Sequence, residues 1–135
     1  MDKVISIYKK QGETPLEALD GLRKERPEYR DAVLSYAGRL DPMAEGVLLV
    51  LVGDENKNKE EYLRLPKEYT YDVLFGFSTD TYDILGVLTN AASKASLKRV
   101  SVKKVLDEVA QYRGRRQQEF PPYSSKNIGG KALFE

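Results

Sequence analysis

Val4, Ile5, Ile7 and Tyr8 form a short β-rich run that stops at the polar, glycine-containing stretch Lys9 to Glu13, which predicts a strand followed by a loop. Thr14, Pro15 and Glu17 then supply an N-cap hydroxyl, a proline at the first helical position and the acid of a capping box, so a helix starts there. Leu16, Leu19 and Leu22 share one face of it, and Pro27 closes it, because proline disfavours helical geometry in the residue before it. Ala32 to Tyr36 and Val47 to Val52 are short apolar runs that read as buried strands, separated by the loop from Ala37 to Gly46. A second helix is expected over Lys57 to Leu65. From Glu68 to Phe77 the alternation is clean, with Tyr69, Tyr71, Val73, Phe75 and Phe77 on one side, and it predicts a strand.

Ser78 to Asp83 reads as a polar turn and Val87 to Thr89 as a short strand. Ser101 caps a helix whose Val102, Val105, Leu106 and Val109 follow the 3.6-residue period. Gln117 to Phe120, a proline-rich loop and Lys126 to Ile128 lead to the Gly129-Gly130 turn. Leu133, Phe134 and Glu135 resemble the beginning of another helix with no room to complete a turn, so the chain reads as cut from a longer one. No repeat, low-complexity segment or flexible linker divides it, and residues 1–135 read as one unit. The mixture of hairpin-like and crossover connections argues for an α+β fold with a mixed, mainly antiparallel sheet flanked by helices.

Composition narrows the chemistry. At 135 residues and 41% apolar content the chain is long enough to bury roughly two-thirds of its unfolded surface without covalent staples. It has no Cys and no His, which removes thiol catalysis, zinc-thiolate sites and every Ser-His-Asp arrangement. The apolar run near the start is too short for a secretory segment, and nothing later approaches a membrane span, so the expected location is cytoplasmic. Lys plus Arg total 22 against 21 Asp plus Glu, so net charge says nothing about a nucleic-acid partner and distribution has to decide. Bases gather in Lys94, Lys98, Arg99, Lys103 and Lys104 and again in Arg113, Arg115 and Arg116, which suits either a solvated helix face with a charged turn or a phosphate-facing end.

Three places carry candidate chemistry. Gly38-Arg39-Leu40-Asp41-Pro42-Met43-Ala44-Glu45-Gly46 sets an acid in a loop between two apolar strands, flanked by glycines that admit a ligand or another backbone. Asp41 is the candidate, against the plainer reading of Asp-Pro as a turn initiator. Asp80 and Asp83 suit either a hard cation or ordinary turns, and the turn reading is preferred, with no metal expected. Tyr69 belongs either to the core or, in a chain with nine Tyr and no Trp, to a surface on which unstacked bases rest. Lys67-Glu68 beside it fits a strand-edge charge pair.

The segments taken together are more specific than any one of them. Lys9-Lys10-Gln11-Gly12-Glu13-Thr14-Pro15, then GRLDPMAEGVLLVLVG, Lys67-Glu68-Tyr69, STDTYDILG and QEFPPYSSKNIGGKALFE closely resemble, in order and spacing, the TruB-type tRNA pseudouridine synthase family. The likeness covers essentially the whole chain but only the amino-terminal part of that family's catalytic domain. It implies the pseudouridine synthase fold, incomplete at the carboxyl end, with no second domain. It also implies isomerisation of a T-loop uridine of tRNA by a monomer that needs neither cofactor nor metal.

In that resemblance Asp41 falls on the catalytic aspartate, whose carboxylate attacks either the base or the sugar carbon. Tyr69 falls on the tyrosine that stacks against the target uracil, while Lys9, Arg39 and the Arg113 to Arg116 cluster are expected phosphate contacts. Tyr36 stands where many members carry a His that fills the gap left by the extruded base; it can stack there but cannot act as an imidazole. The family's arginine that pairs with the nucleophilic acid, and a later apolar segment closing the pocket, are expected beyond Glu135. Alone, the chain is therefore expected to be inactive or weak and to expose an unpaired sheet edge. Two rivals stay open: an RNA-binding relative without chemistry, and a small carboxylate hydrolase with a second acid beside Asp41.

Overall fold

The apolar alternation at the start produces β1 (Val4–Lys9), with Ile5, Ile7 and Lys9 on one face. In the computed structural model, which describes residues 2–119, 127–129 and 131–132, β1 pairs antiparallel with β3 (Gly46–Val52). The opposite edge of β3 pairs antiparallel with β2 (Leu34–Ala37), giving the order β1-β3-β2. Register sets Ile5 and Tyr36 on either side of Val50, and Leu34 beside Val52, so their side chains share a face.

Onto that face packs α1 (Pro15–Glu25), whose Leu19 and Leu22 join Ile5, Tyr29, Val50 and Val52 in one buried cluster. Each fully buried Leu or Val contributes about 1.5–3 kcal/mol over leaving it in water. The α1 start is as expected: Thr14 Oγ1 accepts from Glu17 N at 3.2 Å while Glu17 Oε2 accepts from Thr14 N at 2.7 Å. Its end is also as expected, since Arg26, the residue before Pro27, is extended. Leu16 does not join the buried face: it is exposed, because the buried row runs through Pro15, Ala18, Leu19 and Leu22 and Leu16 falls off its edge.

The helix expected over residues 57–65 is shorter and begins differently. A 3-10 segment, Gly53–Asn58, precedes α2 (Lys59–Leu63). Its side chains pair at the three-residue spacing that tighter winding eclipses: Lys57 Nζ donates to Asp54 at 2.6 Å and Asn58 Nδ2 to Glu55 at 3.0 Å. Asn56 Nδ2 also donates to the carbonyls of Gly53 and Val33, diverting the side chain to local backbone.

The strand expected from Glu68 to Phe77 is the clearest difference. Residues 68–76 form no strand; β4 begins only at Phe77 and ends at Thr79. Alternation specifies two faces, but a strand also needs a lateral backbone partner, and β5 (Leu88–Ala91) supplies one only opposite Phe77, Ser78 and Thr79. The chain divides here into two compact units, Met1–Tyr69 and Thr70–Glu135.

The second unit holds the β4-β5 hairpin, α3 (Lys94–Leu97), α4 (Val102–Gln111) and the antiparallel pair β6 (Asn127–Ile128) and β7 (Lys131–Ala132). Ser101 Oγ accepts from Lys104 N, the expected cap of α4. The sequence pattern had not marked α3, whose four residues are too few for a hydrophobic period; its cap, Ser93 Oγ accepting from Ser96 N at 3.1 Å, is the only local signal. The fold class is α+β, and every pairing among the described residues is antiparallel. The proline-rich loop and the expected helix start at Leu133 lie outside the described residues.

Candidate active site

The loop between β2 and β3 leaves and rejoins the sheet through glycines at positive φ, Gly38 (88°) and Gly46 (137°), where a side chain is strained. Between them Ala44 N donates to Asp41 O at 2.9 Å, closing a turn with Pro42 at its second position. The turn is tethered by the end of β1, which lies beside it in the sheet, and by the loop that follows β1. Gly12 N, in the loop between β1 and α1, donates to Pro42 O at 2.7 Å, and Lys9 Nζ donates to Ala44 O at 2.6 Å and to Lys10 O at 3.1 Å. The donor loop is itself fixed, with Lys10 N donating to Glu13 Oε2 at 2.9 Å and Glu13 N to Lys10 O at 3.2 Å.

Lys9 is therefore not displayed to solvent as a phosphate contact would be. It is 0% exposed, on the core-facing row of β1 after Ile5 and Ile7, and its ammonium is spent on carbonyls. Burying a charge is costly unless polar groups replace its water, and the two carbonyls do so here. The signal was present in the strand alternation, which puts Lys9 in the same row as two core residues.

Asp41 and Arg39 are exposed on the loop, and among the described residues neither side chain takes part in a hydrogen bond or ion pair. Tyr69 is 63% exposed, with its ring free of the core that an alternating strand would have given it. Tyr36 is half-buried, packed against the core cluster, with Lys59 Nζ 5.3 Å from its ring centroid. Lys67 does not pair with Glu68; its Nζ donates to the carbonyls of Leu63 and Leu65, at 2.7 and 2.8 Å, where α2 ends. The Lys67 stem backs the loop, since a Cβ on Gly38 would lie 3.9 Å from its Cε.

Glu45, beside Gly46, shapes one neighbour. Desolvation of the hydroxyl end of Tyr8, and next the Glu45 carboxylate, push that phenol above its ordinary value, although most of the residue is exposed. In the second unit, Asp80 Oδ1 accepts from Val87 N at 2.8 Å and Asp83 Oδ1 from Leu85 N and Thr81 Oγ1, each at 2.8 Å. These carboxylates hold their own turn, wrapped around Gly86, where a Cβ would collide with Thr81 Oγ1. Arg113, Arg115 and Arg116 are exposed, and Arg116 lies over the Tyr112 ring at 5.1 Å.

Residues 28–135, which contain the whole tethered loop, match the family described as TruB family pseudouridylate synthase (N terminal domain). The chain belongs to the TruB family. Along its entire length it is 34% identical to tRNA pseudouridine synthase B of Aquifex aeolicus and 33% identical to that of Caldanaerobacter subterraneus, covering 45% of each relative. It is also 36% identical over 118 residues to tRNA pseudouridine synthase 4 of Schizosaccharomyces pombe, 28% of that protein. The chain thus spans less than half the length of these TruB-family relatives. No helix among the described residues is long and apolar enough to cross a membrane. Nor do they bring together three or more acidic side chains able to hold a metal ion.

Proposed function

We propose that the protein isomerises a uridine of tRNA to pseudouridine, with Asp41 as the attacking carboxylate and Tyr69 as the ring that receives the uracil. The observation that carries this reading is the Asp41 loop itself. Its backbone is held by Gly12 and Lys9 while its carboxylate is exposed and, among the described residues, has no partner, the arrangement a nucleophile needs. Family membership supplies the reaction class.

The reaction conserves atoms. The N-glycosidic bond breaks, uracil rejoins the sugar through carbon, that carbon releases a proton and the departing nitrogen gains one. Asp41 bonds transiently to the base or to the sugar carbon and is regenerated as a carboxylate, so no redox partner or cofactor enters. The uridine must leave its stack in the T-loop, at a cost of roughly a few kcal/mol. Stacking on Tyr69 returns about 1–3 kcal/mol of that. Arg39, exposed two residues before Asp41, adds charge for the RNA backbone.

The test is conversion of uridine in a tRNA T-arm hairpin by the full-length protein. Asp41→Asn abolishes conversion, while Tyr69→Ala weakens it more than Tyr69→Phe if the ring provides the stacking surface. Equal conversion by the wild type and Asp41→Asn overturns the assignment. Hairpin binding without conversion favours the RNA-binding relative instead.

A further inference from the structure

Lys59 is disposed unlike the lysines nearest to it in the chain, Lys57 and Lys67. Lys57, two residues earlier, is paired with Asp54 at 2.6 Å, Arg23 is paired with Asp20 at 3.0 Å, and Lys9 and Lys67 are spent on carbonyls. Lys59 is followed by Glu60 and Glu61 and preceded by Glu55, yet among the described residues it pairs with none of them. Its ammonium lies 5.3 Å from the centroid of the Tyr36 ring. Its place at the first residue of α2 gains nothing from the helix dipole, which favours acids there. The ring beneath it is rigid, because Tyr36 is paired in β2 opposite Val50 and packs against the buried cluster. Two residues beyond Tyr36, at Gly38, the chain enters the Asp41 loop.

We infer that Lys59 is an RNA-phosphate contact of this site and that Tyr36 is a positioning residue, its ring fixing the Lys59 ammonium rather than receiving a base. A cation over an aromatic face is oriented without being neutralised, so its charge remains available to an outside anion, whereas a salt bridge would cancel it. A ring packed on the core and capped by an ammonium offers little face for stacking. This assignment rests on the RNA-modifying reading and extends it to a residue that the sequence motifs did not mark.

The test is binding of a fluorescent tRNA T-arm hairpin to the full-length protein across a potassium chloride series, with urea midpoints recorded for every variant. Lys59→Met keeps the stem and removes the charge. It lowers affinity by about threefold or more and reduces the salt slope by about one, the signature of a single lost phosphate contact. Lys59→Arg restores both. Tyr36→Leu loses the same increment of slope, and adding it to Lys59→Met loses no more, because the ring acts through the lysine. An unchanged slope in Lys59→Met overturns the inference. A double variant weaker than Lys59→Met alone shows that the ring touches RNA itself and overturns the role given to Tyr36. If the wild type shows no salt-dependent binding, this inference and the RNA reading fall together. If the Lys59 effects hold but conversion is indifferent to Asp41→Asn, only the catalytic reading falls.

Discussion

The two units draw on similar sequence patterns and reach different states. In Met1–Tyr69 an amphipathic helix meets a three-stranded sheet, and all the buried apolar side chains among the described residues are found there. In Thr70–Glu135 the pattern of α4 is at least as regular, yet Val102, Leu106 and Val109 are exposed, and the alternating run before β4 stays irregular. Periodicity states which face of an element is apolar. Only a partner turns that face into a core, and only a lateral neighbour turns alternation into a strand.

Matched truncations in the two units sharpen this contrast most. Leu22→Ala, in the buried cluster, costs about 2–5 kcal/mol by urea unfolding. Leu106→Ala, on the open face of α4, changes stability by less than about 0.5 kcal/mol in the same chain, as an exposed position does. Comparable losses at both positions would break the comparison.

Next in size is the tether of the Asp41 loop. Lys9→Met leaves the Ala44 carbonyl without its side-chain donor, at about 1–3 kcal/mol for an unmet buried acceptor. The amides of Gly12 and Ala44, both hydrogen-bonded in this loop pair, then exchange with deuterium faster, bringing part of the first unit towards the protection expected of α4. Unchanged exchange at both amides would contradict the tether.

The smallest effect concerns the cap of α1. The Thr14 backbone N–H, and then its hydroxyl, donate to Glu17 and hold that carboxyl below its ordinary range. Because the folded value lies below the unfolded one, the contribution is present above the unfolded value near 4.5 and is lost as pH falls through the folded one. Urea midpoints followed downward from pH 6 decline less steeply in Glu17→Gln than in the wild type. The capping box of the second unit's α4 is incomplete, with Lys104 at the position of the reciprocal acid, so Lys104→Gln leaves that pH profile unchanged.

Much of the first unit was legible because its signals are local or periodic. Thr14-Pro15-Glu17 announces α1, and the apolar runs Val4 to Tyr8 and Val47 to Val52 announce two strands. The Asp41 loop was legible as a bracketed acid. Its support was not, since the bonds from Lys9 to Ala44 and from Gly12 to Pro42 join segments thirty or more residues apart. The alternation from Glu68 misled for the converse reason, as it carries no information about a neighbouring strand. Lys59 escaped notice because its partner is an aromatic face, which leaves no charge pattern along the chain.

The strand order of the first unit also has a temporal side. As the polypeptide leaves the ribosome, β1 emerges first but can find its neighbour only after β3, some forty residues later, has followed it out. Until then the Lys9 ammonium lacks the Ala44 carbonyl, which lies just ahead of β3. Closure of the sheet and tethering of the Asp41 turn therefore await the same late stretch of chain.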